Sequence, residues 1–508
     1  MSVGGPFNLI TSTGLQDRLL MATDTLMERV RNISKQRLAS LREEYPNLTD
    51  VQLEKKPSSW LPMLKEIEKS HIVFINATYK PFVAMAHEYS KTHPCQGIPK
   101  LGGTFSFTLP HLGEFVNDAV MYVKLTGLSA VHAADKVRYV EFLAHRMMKR
   151  VSFKIQNHEL DSYTSDQYNI HYQYKVPQHK EAGYLRNIGQ EVPKQAFLTA
   201  DPAVDEVREY RYFGNGPQTF KNVQPDVEMW IPILFWFKNI ETSLPNFLLP
   251  KNQVNIEVTL EDAANLVAYA IYSSSDGAYN APTISECSLY LNHIYLLPEI
   301  YKIFMHKFGF HLIRVHRYHT EILADSEKRI RLHALKWPME TIYVAFRPRV
   351  NLTSSQNWHR PMQLTARTYK EAVVVGTSTI QVNEAVYYNE KHCITKMELR
   401  SNDIVIYPEL APEFYDSYLP YRYGVHLKTP KQLGWYMINF CMNPGEHQPS
   451  GHMNATNNRE LDLRYVSAVD DSDNYIIRPD NPVDLIVSAD VINFLIVHNG
   501  TAALRFAT

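Results

Sequence analysis

Residues 254–260 read Val-Asn-Ile-Glu-Val-Thr-Leu, a strict alternation of apolar and polar side chains. Because successive side chains of a β-strand point to opposite faces, this pattern is typical of a strand with one buried and one exposed face. Residues 104–109, Thr-Phe-Ser-Phe-Thr-Leu, alternate in the same way. These two stretches predict antiparallel sheets whose strands each turn one face toward a core.

Short apolar and aromatic stretches separated by turn residues continue along the rest of the chain, as expected of an all-β protein. We predict further strands at His71–Asn76, Val120–Leu125, Val151–Ile155, Trp230–Phe237, Ser288–Leu296, Phe310–Val315, Thr341–Phe346, Thr379–Val382, Thr395–Leu399, Trp435–Cys441, Leu485–Val487, Ile492–Val497 and Ala502–Phe506. About fifteen strands would fill two eight-stranded jelly rolls. Residues 301–308 predict a short helix-like link between the rolls. The sequence has no alignable internal repeat, so this duplication rests on the strand count.

One segment near the start has the period of a helix. From Leu15 the apolar residues that share one helix face are Leu19, Ala22, Leu26, Val30 and Ile33. The basic residues of its second half are Arg29, Arg31, Lys35, Arg37 and Arg42. Two interpretations stay open: a basic amphipathic helix against a membrane or an acidic partner, or the solvated face of an ordinary docking helix.

Composition excludes several classes of protein. The chain has 508 residues, with 52 Lys and Arg against 53 Asp and Glu. This balance argues against a protein that coats nucleic acid or binds another polyanion, because such proteins have an excess of basic residues. The longest apolar run, Met229–Phe237, contains Pro232 and is far shorter than the roughly 20 residues of a membrane-spanning helix. Four cysteines without a CxxC pair suit a reducing compartment. No basic region precedes an apolar stretch at the N-terminus, so we expect no secretory signal.

A search for reactive chemistry finds no pattern that identifies an enzyme. The densest histidine group is His306, His311, His316 and His319. Its spacing lacks the alternation that a strand-borne metal site needs, so we interpret these residues as surface or interface histidines, with assembly tuned by pH as one role. Gly214-Asn215-Gly216-Pro217 suits a turn better than a phosphate cradle.

Two kinds of charged cluster also favour ordinary surface roles. Asp470, Asp471 and Asp473 lack the glycine and distal glutamate of a calcium loop and predict an acidic surface loop. Arg347-Pro348-Arg349 and Lys328-Arg329-Ile330-Arg331 predict solvated loops or subunit contacts rather than nucleic-acid binding. We therefore predict no catalytic, cofactor-binding or metal-binding residue and no cofactor. The residues by themselves favour a structural or binding role.

Ten stretches follow one another in a fixed order along the chain: Gly4–Ile10, Glu66–His71, Asn215–Thr219, Leu234–Phe237, Leu312–His316, Ala334–Pro338, Gln448–His452, Val487–Ala489, Ile492–Leu495 and Asn499–Phe506. Through them the chain resembles the major capsid proteins of the nucleocytoplasmic large DNA viruses, in particular those of African swine fever virus and its asfar-like relatives. Each is weak alone, and their order makes the resemblance specific. Between Leu125 and Arg211 the resemblance thins, and we expect the outward loops to be shorter there.

The resemblance implies an all-β double jelly roll, that is, two eight-stranded antiparallel β-sandwiches in one chain with an N-terminal helical base segment. We expect residues 1–70 to form that base segment, 71–300 the first jelly roll and 301–508 the second. The implied role is a major capsid protein without enzymatic activity, whose homotrimers are pseudo-hexameric capsomers of an icosahedral virion. Implied partners are neighbouring capsomers, penton and minor capsid proteins, and an inner membrane near the N-terminal helix, with no direct nucleic acid. Assembly would take place in cytoplasmic viral factories.

Two alternatives remain from the sequence. A minor capsid or penton-type jelly-roll protein would use one roll and fivefold symmetry. A jelly-roll carbohydrate-binding protein or enzyme would need a metal or a pair of carboxylates in a cleft.

Overall fold

The structure is a computed structural model of the whole chain. It describes residues 26–46, 48–49, 52–53, 85–190, 194–198, 209–213, 216–271, 278–296, 310–375, 378–455, 460–498 and 501–506. Among these, the residues within Met1–Glu88 and His293–Lys307 form one compact unit, and those within Tyr89–Asn292 and Phe308–Thr508 form the other.

The smaller unit contains α1 (Leu26–Glu44), the longest helix among the described residues. Leu41 of this helix is buried together with Leu53, and Leu38 packs against them. Ile33, which the sequence placed on the apolar face, is 52% exposed instead. Residues 15–25 of the predicted helix lie outside the described residues. No described helix is long and apolar enough to cross a membrane.

The first half of the described chain is built mainly of strands. Their bounds are β1 (Met85–Thr92), β2 (Thr104–Thr108), β3 (Phe115–Thr126), β4 (Ser129–Ala130), β5 (Lys136–Tyr139), β6 (Met148–Ile155), β7 (His158–Thr164), β8 (Lys194–Leu198), β9 (Glu209–Phe213), β10 (Val227–Pro232), β11 (Val254–Leu260), β12 (Val267–Ala270), β13 (Tyr279–Asn280) and β14 (Thr283–Leu296). The helices among them are α2 (Leu143–Met147), α3 (Ser165–Ile170) and α4 (Glu181–Asn187), with a π-helical turn at His171–Lys175.

The second half follows the same plan. Its strands are β15 (Phe310–Leu323), β16 (Glu327–Arg331), β17 (Pro338–Pro348), β18 (Gln363–Val375), β19 (Ser378–Lys391), β20 (Ile394–Ser401), β21 (Ile404–Leu410), β22 (Trp435–Asn439), β23 (Met453–Asn454), β24 (Leu461–Ser467), β25 (Val483–His498) and β26 (Thr501–Leu504). Its helices are α5 (Arg349–Thr353) and α6 (Leu419–Tyr423), and a π-helical turn at Phe414–Tyr418 precedes α6.

The sheets of the two halves have identical strand orders. In the first roll, strands β1–β14, the sheets run β1-β14-β3-β10 and β2-β11-β6-β7. In the second roll, strands β15–β26, they run β15-β25-β17-β22 and β16-β24-β20-β21. When the eight strands of each roll are counted along the chain, both give the orders 1-8-3-6 and 2-7-4-5. This is the eight-stranded jelly-roll topology, occurring twice, and it confirms the predicted double jelly roll.

Side-chain alternation builds the core as the sequence predicts. In β11 the side chains of Val254, Ile256, Val258 and Leu260 are buried, and the residues between them are partly exposed. This strand pairs with β2 on one side and β6 on the other. Strand β17 is different, because all eleven of its residues are buried. A strand buried on both faces must have its outer face covered by something besides its own roll.

Four strand predictions and the predicted link need correction or fall outside the description. The strand predicted at Trp230–Phe237 ends at Pro232 and is followed by a short 3-10 turn at Trp236–Lys238. The strands predicted at Leu485–Val487 and Ile492–Val497 are one continuous strand, β25. The strand predicted at His71–Asn76 and the link predicted at 301–308 lie outside the described residues. The domain boundaries at 70 and 300 stay a prediction.

Candidate functional site: the interface between the two rolls

The outer side of the β15-β25-β17-β22 sheet carries polar side chains that are nevertheless buried. His316, Tyr343, Arg347 and Ser488 are 8%, 1%, 7% and 3% exposed, and the Asp490 side chain is 16% exposed. We call these five residues the covered face. They lie next to one another in the sheet, since His316 pairs with Asp490 and Tyr343 with Ser488 across neighbouring strands.

The first roll covers this face with strand β7 and the segment that follows it. That segment, residues 165–187, contains α3, the π-helical turn, a 3-10 turn at Gln178–Lys180 and α4, and we call it the first helical connection. Thr164 precedes α3 in an extended conformation, and Asp166 lies in the first turn, where a carboxylate interacts favourably with the helix dipole. The connection buries Tyr168, Tyr172 and Tyr174 almost completely.

Three contacts, each made by a carboxylate of one roll, join the rolls across the covered face. Asp161 of β7 accepts the backbone N–H of His316 and pairs with its Nδ1, both at 2.9 Å. Lys175 Nζ lies 2.7 Å from Asp490 Oδ2. Arg347 Nη1 lies 2.6 Å from Asp166 Oδ1. Because buried charges are costly unless they are paired, these contacts specify how one roll docks on the other.

Neutral hydrogen bonds and stacking complete the interface. The Tyr174 hydroxyl donates to the Trp435 carbonyl at 2.8 Å, and the Tyr174 and Tyr343 rings lie 4.8 Å apart. Ser488 Oγ donates to Gln167 Oε1 at 2.6 Å. Burial raises the pKa of Tyr174 and Tyr343 well above the ordinary tyrosine value, so both hydroxyls remain protonated donors at neutral pH.

The charged groups at the edge of the interface influence one another. Burial alone would raise the pKa of Asp490, but the adjacent Lys175 ammonium holds it below its ordinary value. Lys238 lies nearby, and burial together with repulsion from Lys175 lowers its pKa to about 8. Both lysines line a cleft of about 850 Å³ beside the covered face. Its other walls include His171, Trp236 and Glu446.

The histidines that the sequence grouped are separated in the structure. His316 lies in the interface just described, which is an interface within the chain. His319 packs edge-on against His333 at 4.9 Å, and His306 lies outside the described residues. His311 is part of β15 with its pKa lowered by burial. Within the described part of the chain, no group of three or more His, Cys, Asp or Glu side chains could hold a metal ion.

The charged clusters have structural roles. Asp470 accepts the backbone N–H groups of Ser472 and Asn474 and pairs with Arg478 at 3.0 Å, so it closes a turn. The prediction of a solvated loop or subunit contact is wrong for Arg347, because this residue lies in β17 and is buried between the rolls. Arg329 extends across the β16-β24 pair to Asp462, 2.6 Å away.

Sequence reasoning missed the residues that the first roll contributes to the interface: Asp161, Asp166, Gln167, Tyr174 and Lys175. The segment His171-Tyr172-Gln173-Tyr174-Lys175 contains no motif. The one available signal was Asp490, the only charged residue in a mostly apolar stretch from 485 to 497. A charge in such a position indicates a partner elsewhere in the chain.

These features place the chain in the class of double jelly-roll proteins. Its two rolls dock through a buried polar interface. Solved structures that share this fold include viral capsid proteins. The chain matches the Faustovirus major capsid protein with a TM-score of 0.75 and 25% identity, over 96% of this chain and 100% of that one. The PBCV-1 virus capsid, in a quasi-atomic model, shares the fold with a TM-score of 0.63 and 17% identity, over 86% and 100% of the two chains.

Sequence comparison identifies the family. A family profile described as the major capsid protein N-terminus matches residues 74–297. A second profile, described as the large eukaryotic DNA virus major capsid protein, matches residues 335–503. The hexon protein p72 of African swine fever virus (isolate Tick/Malawi/Lil 20-1/1983) is 25% identical over a 674-residue alignment that spans all of both chains. The chain belongs to the major capsid proteins of large eukaryotic DNA viruses.

Proposed function

We propose that three copies of the chain form a pseudo-hexameric capsomer and that these capsomers tile the icosahedral shell of a large double-stranded DNA virus. The observation that carries this proposal is the identical strand order of the two rolls. Two similar rolls per chain give six rolls per trimer. A trimer with threefold symmetry therefore fits a hexagonal position in the shell. Closed cyclic symmetry is the usual form of soluble oligomers.

In this role the chain acts as a structural protein and carries out no enzymatic reaction. Its further partners are neighbouring capsomers, together with penton and minor capsid proteins beneath or beside them. The N-terminal segment, including α1, faces the minor proteins and an inner membrane. Assembly takes place in viral factories of the host cytoplasm. The support for these partners is the family to which the chain belongs.

The test is the mass of the purified full-length protein by light scattering during gel filtration, with negative-stain images of the same peak. A chain of 58.7 kDa predicts a trimer of about three times that mass, with hexagonal outlines. A folded monomer that persists at micromolar concentration would contradict the proposal. Particles with fivefold outlines would instead favour a penton-type protein.

A further inference from the structure

A row of aromatic side chains, some of them exposed, lies on the outer side of the first roll's β1-β14-β3-β10 sheet. Tyr122 and Trp230 pair across β3 and β10 with ring centroids 4.7 Å apart, and Tyr290 of β14 lies 5.0 Å from Trp230. Trp230 is 40% exposed and Tyr89 of β1 is 61% exposed, whereas Tyr122 is only 9% exposed. We call these four residues the open face. Exposed aromatic residues gathered on one surface are typical of a protein interface.

The open face is the topological counterpart of the covered face. Each belongs to the sheet with strand order 1-8-3-6 in its own roll. In the second roll this sheet is shielded by β7, the fifth strand of the first roll, and by the helical connection that follows β7. In the first roll the corresponding surface is exposed within the described chain.

The second roll also has a counterpart of the covering elements, and some of its aromatic side chains are exposed, although Tyr415 is buried. Its fifth strand is β21, and the next segment, residues 412–423, contains the π-helical turn and α6. We call this segment the second helical connection. Both connections thus follow the fifth strand and contain a five-residue π-helical turn, a rare feature.

Exposure differs sharply between the two sets of covering elements. In the first, Tyr168, Tyr172 and Tyr174 are at most 7% exposed. In the second, Tyr418 is 50% and Tyr421 is 81% exposed. Strand β21 likewise presents Ile404 to solvent, 71% exposed, whereas the central residues of β7 are buried. Within one chain, β7 and the first helical connection therefore bury the covered face. The open face and the second helical connection, which are the corresponding surfaces, have no such contact within the described chain.

We propose that β21 and the second helical connection of one copy cover the open face of the next copy, as β7 and the first helical connection cover the second roll within one chain. This inference rests on the proposed trimer and names its contact surfaces. Each contact joins two different surfaces, and such contacts close into a ring when the rotation between neighbours allows it. Alternating contacts within and between chains would then produce a ring of six rolls from three copies.

The first experiment locates the contact directly. The photoreactive amino acid p-benzoylphenylalanine replaces Tyr421 in the full-length protein, and the purified trimer is irradiated. We expect a covalent dimer whose cross-linked peptides contain Met85–Thr92, Phe115–Thr126, Val227–Pro232 or Thr283–Leu296. The matched control places the same amino acid at Tyr475, which is 52% exposed outside both surfaces, and should not label these strands.

The second experiment measures the energetic role of the open face. Trp230→Ala and, separately, Tyr421→Ala should raise the concentration at which the trimer dissociates by about tenfold or more, because large aromatic residues dominate interface energies. The two substitutions lie on opposite sides of the same contact. Tyr475→Ala is the control and should leave the dissociation concentration unchanged. Circular dichroism of each variant verifies that the monomer remains folded.

The outcomes separate this inference from the proposed function. A wild-type trimer that both alanine variants preserve, or whose Tyr421 position cross-links only to other segments, overturns the contact surfaces and leaves the capsomer intact. A wild-type protein that stays monomeric overturns both. Loss of the trimer in the two variants, together with the expected cross-links, supports both.

Discussion

Lys238 lies at the edge of the roll interface with its ammonium group partly withdrawn from water. Burial, followed by the positive charge of Lys175, lowers its pKa to about 8, while Asp490 opposes that shift. A lysine whose pKa is lower in the folded than in the unfolded protein binds fewer protons when folded. Its contribution to stability is therefore present above the unfolded value of about 10.4 and is lost as the pH falls through about 8.

Replacing this lysine predicts a pH-dependent gain. At pH 7 we expect Lys238→Met to raise the free energy of unfolding by roughly 1–2 kcal/mol, because the charged form no longer has to be buried. The gain should shrink between pH 8 and pH 10, where the wild-type lysine loses its proton. Urea unfolding at pH 7 and pH 10 measures the difference. Lys251→Met, at an exposed turn, is the control, and a gain that is the same at both pH values would contradict the prediction.

Sequence patterns did not reveal the buried polar contacts because the two partners of each contact lie far apart along the chain. Asp490 pairs with Lys175, and Ser488 binds Gln167, at separations of 315 and 321 residues. A local window therefore shows two polar residues interrupting an apolar stretch. That interruption split β25 into two predicted strands, although the strand is continuous from Val483 to His498. These polar residues belong to the covered face, and the position of that face cannot be predicted from a short window of sequence.

At the scale of elements, continuous apolar stretches were harder to assign than alternating ones. The alternation in β2 and β11 predicted both strands correctly, because a period of two identifies a strand with one buried face. The stretch from Trp230 to Phe237 has no such period, and its strand ends at Pro232. Beyond it Phe235, Trp236 and Phe237 are buried in a turn that packs on Phe153. Burial alone does not distinguish a strand from a packed turn.

The turn at Gln448-Pro449-Ser450-Gly451 illustrates an element whose shape depends on one glycine. Gly451 has φ of +147°, and an added Cβ would lie 2.8 Å from the Phe440 carbonyl oxygen. Ser450 Oγ accepts the backbone N–H of Asn443 at 2.8 Å and closes the loop on its other side. Glycine adopts such a positive φ without the steric cost that a side chain would add. The close backbone contact, which depends on β22 ending nearby, was not predictable.

We expect Gly451→Ala to lower the free energy of unfolding by about 2–3 kcal/mol, since both the backbone conformation and the added methyl group are unfavourable. Thermal unfolding of the purified protein measures this loss. The matched control is Gly127→Ala, at φ of +85° with no atom within 4 Å of the added Cβ, which isolates the conformational cost of about 1 kcal/mol. Equal losses in the two variants would show that the contact with Phe440 is unimportant.

At the scale of the whole molecule, the duplicated topology says more about the architecture of the chain than any sequence motif does. The strand count predicted two rolls, yet the sequence shows no repeat, because a jelly roll requires only alternation, turns and strand order. What the strand count could not predict is the asymmetry between the rolls. The first roll carries β8–β9 as a separate hairpin, and the second carries β18–β19. Each roll therefore has different insertions on a shared framework.

The docking of the rolls predicts that they unfold together, and Arg347 is the residue on which to test this. Its guanidinium lies between Asp166 of the first roll, at 2.6 Å, and Asp484 of the second, at 3.9 Å, and burial raises the pKa of Asp484. Arg347→Met leaves the partly buried carboxylate of Asp166 without its close cation, while Asp484 keeps Arg349 at 3.5 Å, so we expect a loss of about 3 kcal/mol.

Hydrogen exchange in increasing urea should show peptides from both rolls, for example Met148–Ile155 and Val483–His498, losing protection at one urea concentration in the wild-type protein. Arg347→Met should lower that concentration for both peptides equally, because each roll stabilises the other through the covered face. Arg331→Met is the control: its pairs with Glu460 and Asp462 lie within the second roll, and its side chain is 56% exposed, so a change under about 1 kcal/mol is expected. If Arg347→Met weakened only the second-roll peptide, the rolls would be independent folding units, and the contact between them would contribute to assembly geometry without contributing to the stability of the chain.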